Sequence, residues 1–190
     1  MNIIKTEFPG LVIIEPKVFG DDRGYFFESY NEAVMAEAGI KNLFRQDNQS
    51  FSKYGVIRGL HFQLNPYSQT KLIRVVEGTI YDVVVDLRKG SPTYGKWCAV
   101  ELSAENKRQL YIPPGFAHGF SVLSEQTTIL YKCDNLYNPQ CEGGILYNDP
   151  TLNIDWKVDP AKAIVSEKDK NLPTLERLET NFVFFESHQY

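Results

Sequence analysis

The chain has 190 residues, of which 43% are hydrophobic, and this is enough for one domain with a sizeable core. The net charge is −4 and no block of basic residues occurs, which argues against nucleic acid as a partner. No apolar run is long enough to span a membrane, and the N-terminal residues lack the apolar core of an export signal. The three cysteines, Cys98, Cys133 and Cys141, form no CxxC pair, so reduced thiols and a cytoplasmic location are expected.

Short runs of β-branched and aromatic residues alternate with turn-forming residues along most of the chain. A helix is predicted over residues 31–38, because Asn31 can cap it and Gly39 can end it. The charged tail from Asp159 onward is predicted to be helical or irregular. Strands are predicted over residues 11–15, 17–19, 25–29, 43–50, 56–63, 71–77, 79–87, 96–102, 108–112 and 127–133, with a turn at 20–24.

Many short strands at regular intervals indicate an all-β sandwich or barrel. No internal repeat, low-complexity tract or linker interrupts the pattern, so residues 1–190 are expected to form a single domain. The barrel core is expected over roughly residues 40–140, with the N-terminal strands and the C-terminal tail packed on it.

The predicted strand 79–87 has two faces of different character. One face is fully apolar and belongs in a core; it consists of Tyr81, Val83, Val85 and Leu87. The other face mixes carboxylates with apolar groups and could line a polar cavity; it consists of Ile80, Asp82, Val84 and Asp86.

A histidine in the predicted strand 56–63 is the first candidate for chemistry. Strict alternation places His61 on one face together with Ile57, Gly59 and Gln63. A histidine within a strand is more often structural, although an imidazole one short loop from a lysine suits proton transfer on an anionic intermediate. Alternation also places Arg58 and His61 on opposite faces.

A second histidine, His118, follows the tight turn predicted at Pro113-Pro114-Gly115 and begins a new strand. A histidine in each of two β-barrel motifs is typical of a cupin, and many cupins bind a metal. A cupin metal site needs two histidines separated by one residue, plus a glutamate, whereas Phe62 and Gln63 follow His61. The sequence therefore predicts neither a metal nor a cofactor.

Several motifs, each weak alone, occur in a fixed order between Lys17 and Asp169. They are Gly20-Asp21-Asp22-Arg23-Gly24-Tyr25-Phe26-Phe27-Glu28-Ser29, Gln46-Asp47-Asn48, Arg58-Gly59-Leu60-His61, Ser103-Ala104-Glu105-Asn106-Lys107, Pro114-Gly115-Phe116-Ala117-His118-Gly119-Phe120, Tyr131-Lys132, Tyr137 with Glu142-Gly143-Gly144, and Ser166-Glu167-Lys168-Asp169. Taken together, they resemble the dTDP-4-dehydrorhamnose 3,5-epimerase family of the cupin superfamily.

The resemblance implies an all-β-dominated fold, a cupin-type double-stranded β-helix or jelly-roll barrel with a few short helices. It implies epimerisation at C3 and C5 of dTDP-4-dehydro-6-deoxy-D-glucose to dTDP-4-dehydro-L-rhamnose, in dTDP-L-rhamnose biosynthesis. Each hydrogen flanks the C4 ketone, so removing either leaves an enolate. Two alternatives stay open: a relative that epimerises one carbon only, and a cupin that binds a sugar nucleotide without turnover.

The resemblance also assigns catalytic roles. His61 is the base, Asp169 orients it, Tyr131 is the acid on the opposite ring face, and Lys71 stabilises the enolate oxygen. By residue type alone, Asp169 would be a solvated charge in a charged tail. Tyr131 shares a strand face with Ile129 and could equally belong to the core.

Binding roles are implied in the same way. Arg23 and Arg58 suit the diphosphate, because a guanidinium can form paired hydrogen bonds with it. The resemblance thus places both Arg58 and His61 in the site, and a bulge at Gly59 would bring them to the same face of the strand. Phe26 and Tyr137 offer aromatic faces for the thymine, and Glu28 could accept a hydrogen bond from its ring N–H. The other residues at positions associated with the site are Gln46, Asn48, His118, Glu142 and Lys168. In the family, the segment from Arg23 to Glu28 reaches into the neighbouring subunit, which implies a homodimer.

Overall fold

The computed structural model describes residues 1–185 and is dominated by strands. The helices are α1 (Glu32–Glu37) and α2 (Glu167–Lys170), with short 3-10 turns at Pro160–Lys162 and Leu175–Arg177. The strands are β1 (Asn2–Lys5), β2 (Val12–Glu15), β3 (Phe19–Asp21), β4 (Gly24–Phe26), β5 (Gln46–Lys53), β6 (Val56–Gln63), β7 (Lys71–Glu77), β8 (Thr79–Asp86), β9 (Trp97–Ser103), β10 (Gln109–Ile112), β11 (Phe116–Val122), β12 (Gln126–Cys133), β13 (Glu142–Gly144) and β14 (Ile164–Val165). No helix in this part of the chain is long and apolar enough to cross a membrane.

Strands β5 to β12 form two facing antiparallel sheets. In one sheet the order is β1-β2-β10-β7-β12-β5, and in the other it is β13-β6-β11-β8-β9. The chain crosses to the other sheet after each of the eight central strands except β8, which is followed by its neighbour β9 in the same sheet, and this is the order of a jelly roll. This confirms the predicted cupin-type barrel. A separate two-stranded hairpin, β3-β4, pairs with neither sheet.

The hydrophobic core lies between the two sheets. Ile73 and Val75 of β7 pack there against Ile80 and Val84 of β8 and Phe120 of β11. The outer faces of the sheets have their own apolar clusters. Helix α1 covers one of them, and the chain after β13 covers the other.

The faces of β8 explain why nearly the whole strand is buried. Val83 and Val85 point away from the barrel and pack against Leu152, Trp156 and Phe182 of the C-terminal region. The opposite face, predicted to line a polar cavity, points into the barrel. Both faces of β8 are therefore shielded from solvent. The apolar face belongs to a second core outside the barrel, and not to the main core between the sheets.

The predicted strand boundaries are right for β6 and β7 and shifted elsewhere. The strand predicted over residues 43–50 begins at Gln46 and continues to Lys53, because it pairs along the whole of β12, from Cys133 back to Gln126. The strands predicted around the turn 20–24 extend into it and form the shorter hairpin β3-β4. Strands β1, β13 and β14 were not predicted.

Helix α1 begins and ends as the sequence predicts. The Asn31 side chain accepts hydrogen bonds from the backbone N–H groups of Ala33 and Val34, at 3.0 and 3.2 Å. The helix ends before Gly39, which adopts a positive φ of 87° that favours glycine.

Strand β6 contains the bulge that the roles of Arg58 and His61 require. His118 on β11 lies opposite His61, whereas Phe120 lies opposite Arg58, so β6 has one extra residue between the two pairs. Ile57 consequently packs with Leu60 and Phe62 in the outer cluster and not on the face of His61. The prediction from strict alternation, which placed Ile57 and His61 on the same face of the strand, is therefore wrong.

Gly59 makes the bulge possible. It adopts a φ of +109°, and a Cβ atom at this position would lie 2.6 Å from the Cα of Gly119 and 2.7 Å from the carbonyl oxygen of His118. The close approach of β6 to β11 therefore requires a residue without a side chain.

Candidate active site

A cleft of about 500 Å³ opens at one end of the barrel, where polar side chains replace the apolar core. Both sheets contribute to it, and the segment from β14 to α2 closes one side. The predicted site residues that line it are Arg58, His61, Lys71, His118, Tyr131, Lys168 and Asp169.

The His61 imidazole is bonded to a carboxylate from the far end of the chain. Its Nε2 lies 2.7 Å from Oδ1 of Asp169, and Oδ2 of Asp169 accepts a hydrogen bond from the N–H of Gly59 at 3.1 Å. Asp169 is 3% exposed, so it is not the solvated charge that residue type alone suggests. It reaches β6 because β14 pairs in parallel with that strand, and Ser166 then caps the short helix that carries Asp169.

Burial lowers the pKa of His61 below its ordinary value of 6.5, although the Asp169 carboxylate opposes this shift. The nearby cations Lys71 and Lys168 lower the pKa of His61 further. The imidazole is therefore neutral at neutral pH. A neutral ring that donates its Nε2–H to Asp169 leaves Nδ1 as an acceptor, which is the state a general base needs.

The facing sheet supplies a lysine and a tyrosine. Lys71 is the first residue of β7, and Tyr131 lies on the adjacent β12, opposite Ile73. Burial lowers the pKa of Lys71 and raises the pKa of Tyr131. Tyr131 therefore stays protonated over the neutral range, as an acid must. Tyr131 and His61 lie on opposite walls of the cleft.

A second cleft histidine, His118, is also bonded to a carboxylate, that of Asp82, which does not itself line the cleft. His118 Nε2 lies 2.6 Å from Oδ1 of Asp82, and both side chains are buried. Asp82 was not among the predicted site residues. The sequence does show that Asp82 is a carboxylate between apolar neighbours on β8. Strand alternation could not show that His118 is its hydrogen-bond partner.

A chain of hydrogen bonds forms the rim of the cleft. Glu142 accepts from Lys168 at 2.6 Å and from the Tyr137 hydroxyl at 3.0 Å, and Gln46 joins the Tyr137 N–H to Asn48. Burial opposes the loss of the Glu142 proton, but the Lys168 ammonium and the Tyr137 hydroxyl outweigh it and lower the pKa of Glu142. These residues are linked to the cleft through Lys168 rather than lining it themselves.

Arg58 extends from the bulge toward the open end of the cleft. Its Nε donates to the Ser52 hydroxyl at 3.0 Å, and its Nη2 donates to the carbonyl of Phe51 at 3.3 Å. Both contacts come from β5, so the guanidinium is held between the sheets with part of its surface exposed. This position suits an anion that enters the cleft from solvent.

The three N-terminal residues of the predicted site do not reach this cleft. Arg23 and Phe26 lie on the hairpin β3-β4, where the Phe26 residue is 70% exposed and Arg23 pairs with Asp21. Glu28 follows the hairpin and is also exposed. The structure therefore does not bring them together with His61 of the same chain.

No group of three or more histidine, cysteine, aspartate or glutamate side chains in residues 1–185 is arranged to hold a metal ion. The two cleft histidines, His61 and His118, are each bonded to a carboxylate.

The chain is similar to known sugar-nucleotide epimerases. A sequence model of dTDP-4-dehydrorhamnose 3,5-epimerase matches residues 5–177. The enzyme of that name from Shigella flexneri is 57% identical over 172 residues, which cover 90% of this chain and 94% of the relative. A dTDP-6-deoxy-D-glucose-3,5-epimerase from Legionella pneumophila, solved in complex with dTDP-4-keto-L-rhamnose, has a TM-score of 0.89 and 48% identity, with 94% of both chains covered.

A more distant relative is a 3'-monoepimerase from Streptomyces bikiniensis, solved in complex with dTDP-quinovose. It shares 32% identity and a TM-score of 0.84, covering 91% of this chain and 87% of its own. The similarity thus extends over nearly the whole fold, and the family match includes every motif from Lys17 to Asp169. The chain belongs to the dTDP-4-dehydrorhamnose 3,5-epimerase family.

Proposed function

We propose that the chain epimerises C3 and C5 of dTDP-4-dehydro-6-deoxy-D-glucose to give dTDP-4-dehydro-L-rhamnose, in dTDP-L-rhamnose biosynthesis. One observation carries the mechanism: a half-buried histidine bonded to a buried aspartate faces a tyrosine across a single cleft. Family membership and the dTDP-sugar bound to the Legionella relative support the substrate class.

His61 is the proposed base. Its neutral imidazole takes the proton from the carbon next to the C4 ketone, and the electron pair of the C–H bond passes into the ketone to form an enolate. The Asp169 carboxylate, 2.7 Å from Nε2, then stabilises the imidazolium that results. The bond from the Gly59 N–H keeps Asp169 in place, so the imidazole is oriented before substrate arrives.

Tyr131 is the proposed acid. Inversion requires that the new proton arrive on the ring face opposite the one that lost its proton, and Tyr131 extends from the opposite wall. The raised pKa of Tyr131 makes its phenolate a strong base, which recovers a proton readily after each transfer. The cycle is repeated at the second carbon, and no atom is gained or lost overall.

Lys71 is proposed to stabilise the enolate oxygen at C4. It lines the cleft, and no carboxylate in the described residues lies within ion-pair distance of its ammonium, so the ammonium is available to the substrate. A cation fixed in a poorly solvated cleft lowers the energy of a developing negative charge more than it would in water.

The remaining roles concern the nucleotide and the sugar. Arg58 is proposed to bind the diphosphate, and His118 to bind the sugar inside the cleft. Tyr137 is proposed to stack on the thymine at the rim, where Glu142 and Lys168 fix its position. Gln46 and Asn48 extend the same rim along β5.

Arg23, Phe26 and Glu28 are proposed to complete the site of a second copy in a homodimer. They are exposed, and they lie on and just after a hairpin that pairs with neither sheet of its own chain. An exposed aromatic ring beside a guanidinium suits a thymine and a diphosphate, respectively.

Proton NMR in deuterated water with dTDP-4-dehydro-6-deoxy-D-glucose tests the proposal. Deuterium should replace the hydrogens at C3 and C5, and the product should have the L-rhamno configuration. Exchange at one carbon only would mean a monoepimerase, as in the Streptomyces relative. Tight dTDP-sugar binding with no exchange would mean a binding protein without turnover.

A further inference from the structure

The buried carboxylate of Asp82, which is bonded to the cleft residue His118, has one oxygen without a partner among the described residues. Oδ1 of Asp82 pairs with His118 at 2.6 Å, but no donor among residues 1–185 reaches Oδ2. Asp82 is fully buried in the barrel. A buried carboxylate with an unsatisfied oxygen is costly, so such a group requires an explanation.

A cation without a contact partner faces the same region. Lys71 begins β7, in the sheet that faces the β8 of Asp82. Lys71 lines the cleft, and Asp82 shares the face of β8 whose Ile80 and Val84 pack in the core between the sheets. No hydrogen bond or ion pair to the Lys71 ammonium occurs within the described residues. The two groups interact electrostatically, because the Asp82 charge raises the pKa of Lys71 against the larger effect of burial.

We propose that Asp82 is a positioning residue that keeps the Lys71 ammonium charged for the enolate and, through its other oxygen, fixes the orientation of His118. The proposal deepens the role of Lys71 given above and rests on it. The separation of the two charges is part of the proposal. A direct ion pair would occupy the ammonium, whereas a carboxylate at longer range leaves the N–H donors free for the C4 oxygen.

Other titratable groups also lie near Lys71. Cys133 lies opposite it on β12, Glu142 is on β13, and His61 is on β6. Burial raises the pKa of the Cys133 thiol to about 11, so this group is neutral at neutral pH. Glu142 is already paired with Lys168 on the rim. Asp82 is therefore the carboxylate best placed to act on Lys71.

The test is the substitution Asp82→Asn, which keeps the shape and the acceptor for His118 but removes the charge. The pKa of Lys71 is measured by carbon NMR after reductive ¹³C-methylation, without substrate, and its signal is assigned with Lys71→Arg. In Asp82→Asn we expect the pKa of Lys71 to fall by about one pH unit or more, since an opposite charge nearby shifts a pKa by this amount. The pH at which kcat declines on the alkaline side should fall together with the pKa of Lys71.

His118→Asn is the matched control, because it removes the imidazole and leaves the Asp82 charge. An unchanged pKa of Lys71 in folded Asp82→Asn protein would overturn the proposal, and so would an equal fall in His118→Asn. If Asp82→Asn does not fold, as judged by thermal unfolding and dTDP affinity, Asp82→Ser removes the same charge with a smaller side chain. The titration needs no turnover, so its failure is distinguishable from a failure of the proposed activity.

Discussion

His61 and His118 lie directly opposite each other on β6 and β11, and each imidazole is bonded to a different carboxylate. The carboxylate of Asp169 arrives from outside the barrel on α2, whereas that of Asp82 comes from within it on β8. His61 pairs with Asp169, whereas Oδ1 of Asp82 bonds to His118 and its Oδ2 to no group in residues 1–185, so Asp82 is not the partner of His61. The two histidine–carboxylate pairs are therefore separate from each other.

Gly59→Ala should destabilise the protein by about 2 kcal/mol or more, because the new Cβ would overlap the Gly119 backbone at a positive φ. Gly90→Ala is the matched control: its φ is +88°, but no atom lies within 4 Å of the added Cβ. That variant should lose only about 1 kcal/mol, the cost of the backbone conformation alone. Urea unfolding of both variants measures the difference, and equal losses would contradict a packing role for Gly59.

The dependence of kcat/KM on pH should reflect the two shifted groups. The base His61 acts when it is unprotonated, and its lowered pKa places the rise in rate with pH below 6.5. At high pH the rate should fall as Lys71 loses its proton, because burial lowers the pKa of Lys71 from 10.5 and raises the pKa of Tyr131 from 10. Lys71→Arg, which keeps its charge, should leave only the alkaline fall that ionisation of Tyr131 causes. A rise centred above pH 7 would contradict the assignment of His61.

The sequence predicts the barrel well because strand formation there depends on local alternation. The boundaries of β7 are right to the residue, and the bulge at Gly59 followed from the need to place Arg58 and His61 together. The burial of Asp169 could not be derived from composition. It depends on the parallel pairing of β14 with β6, which joins segments more than a hundred residues apart and leaves no local pattern.

Tyr131→Phe should separate proton removal from inversion. Without the hydroxyl, His61 can still form the enolate and return a proton to the same face. Exchange with solvent should then persist, while the inverted product falls by about 10²–10⁴-fold, the usual contribution of a positioned acid. Deuterium incorporation and product configuration are read from the same NMR spectra. Inverted product at the wild-type rate would instead leave Tyr131 with a packing role beside Ile129.

The hairpin residues should act in trans. In the proposed homodimer, Arg23→Ala and His61→Asn should each leave the enzyme nearly inactive. A mixture that is unfolded and refolded together forms heterodimers, and each heterodimer contains one site with an intact hairpin and an intact base. Activity should therefore reappear on mixing. If the hairpin served its own chain, every site in the heterodimer would carry one defect, and mixing would restore nothing.

His61 and Asp169 should behave as one unit, because the carboxylate acts on substrate only through the imidazole that it orients. His61→Asn should nearly abolish exchange at both carbons. Asp169→Asn preserves the shape but removes the charge that stabilises the imidazolium, and we expect it to lower kcat by about 10²–10⁴-fold while dTDP affinity stays near the wild-type value. The double variant should be little slower than His61→Asn alone. All three rates are measured at saturating substrate, and losses that multiply would mean that Asp169 acts on the substrate independently of His61.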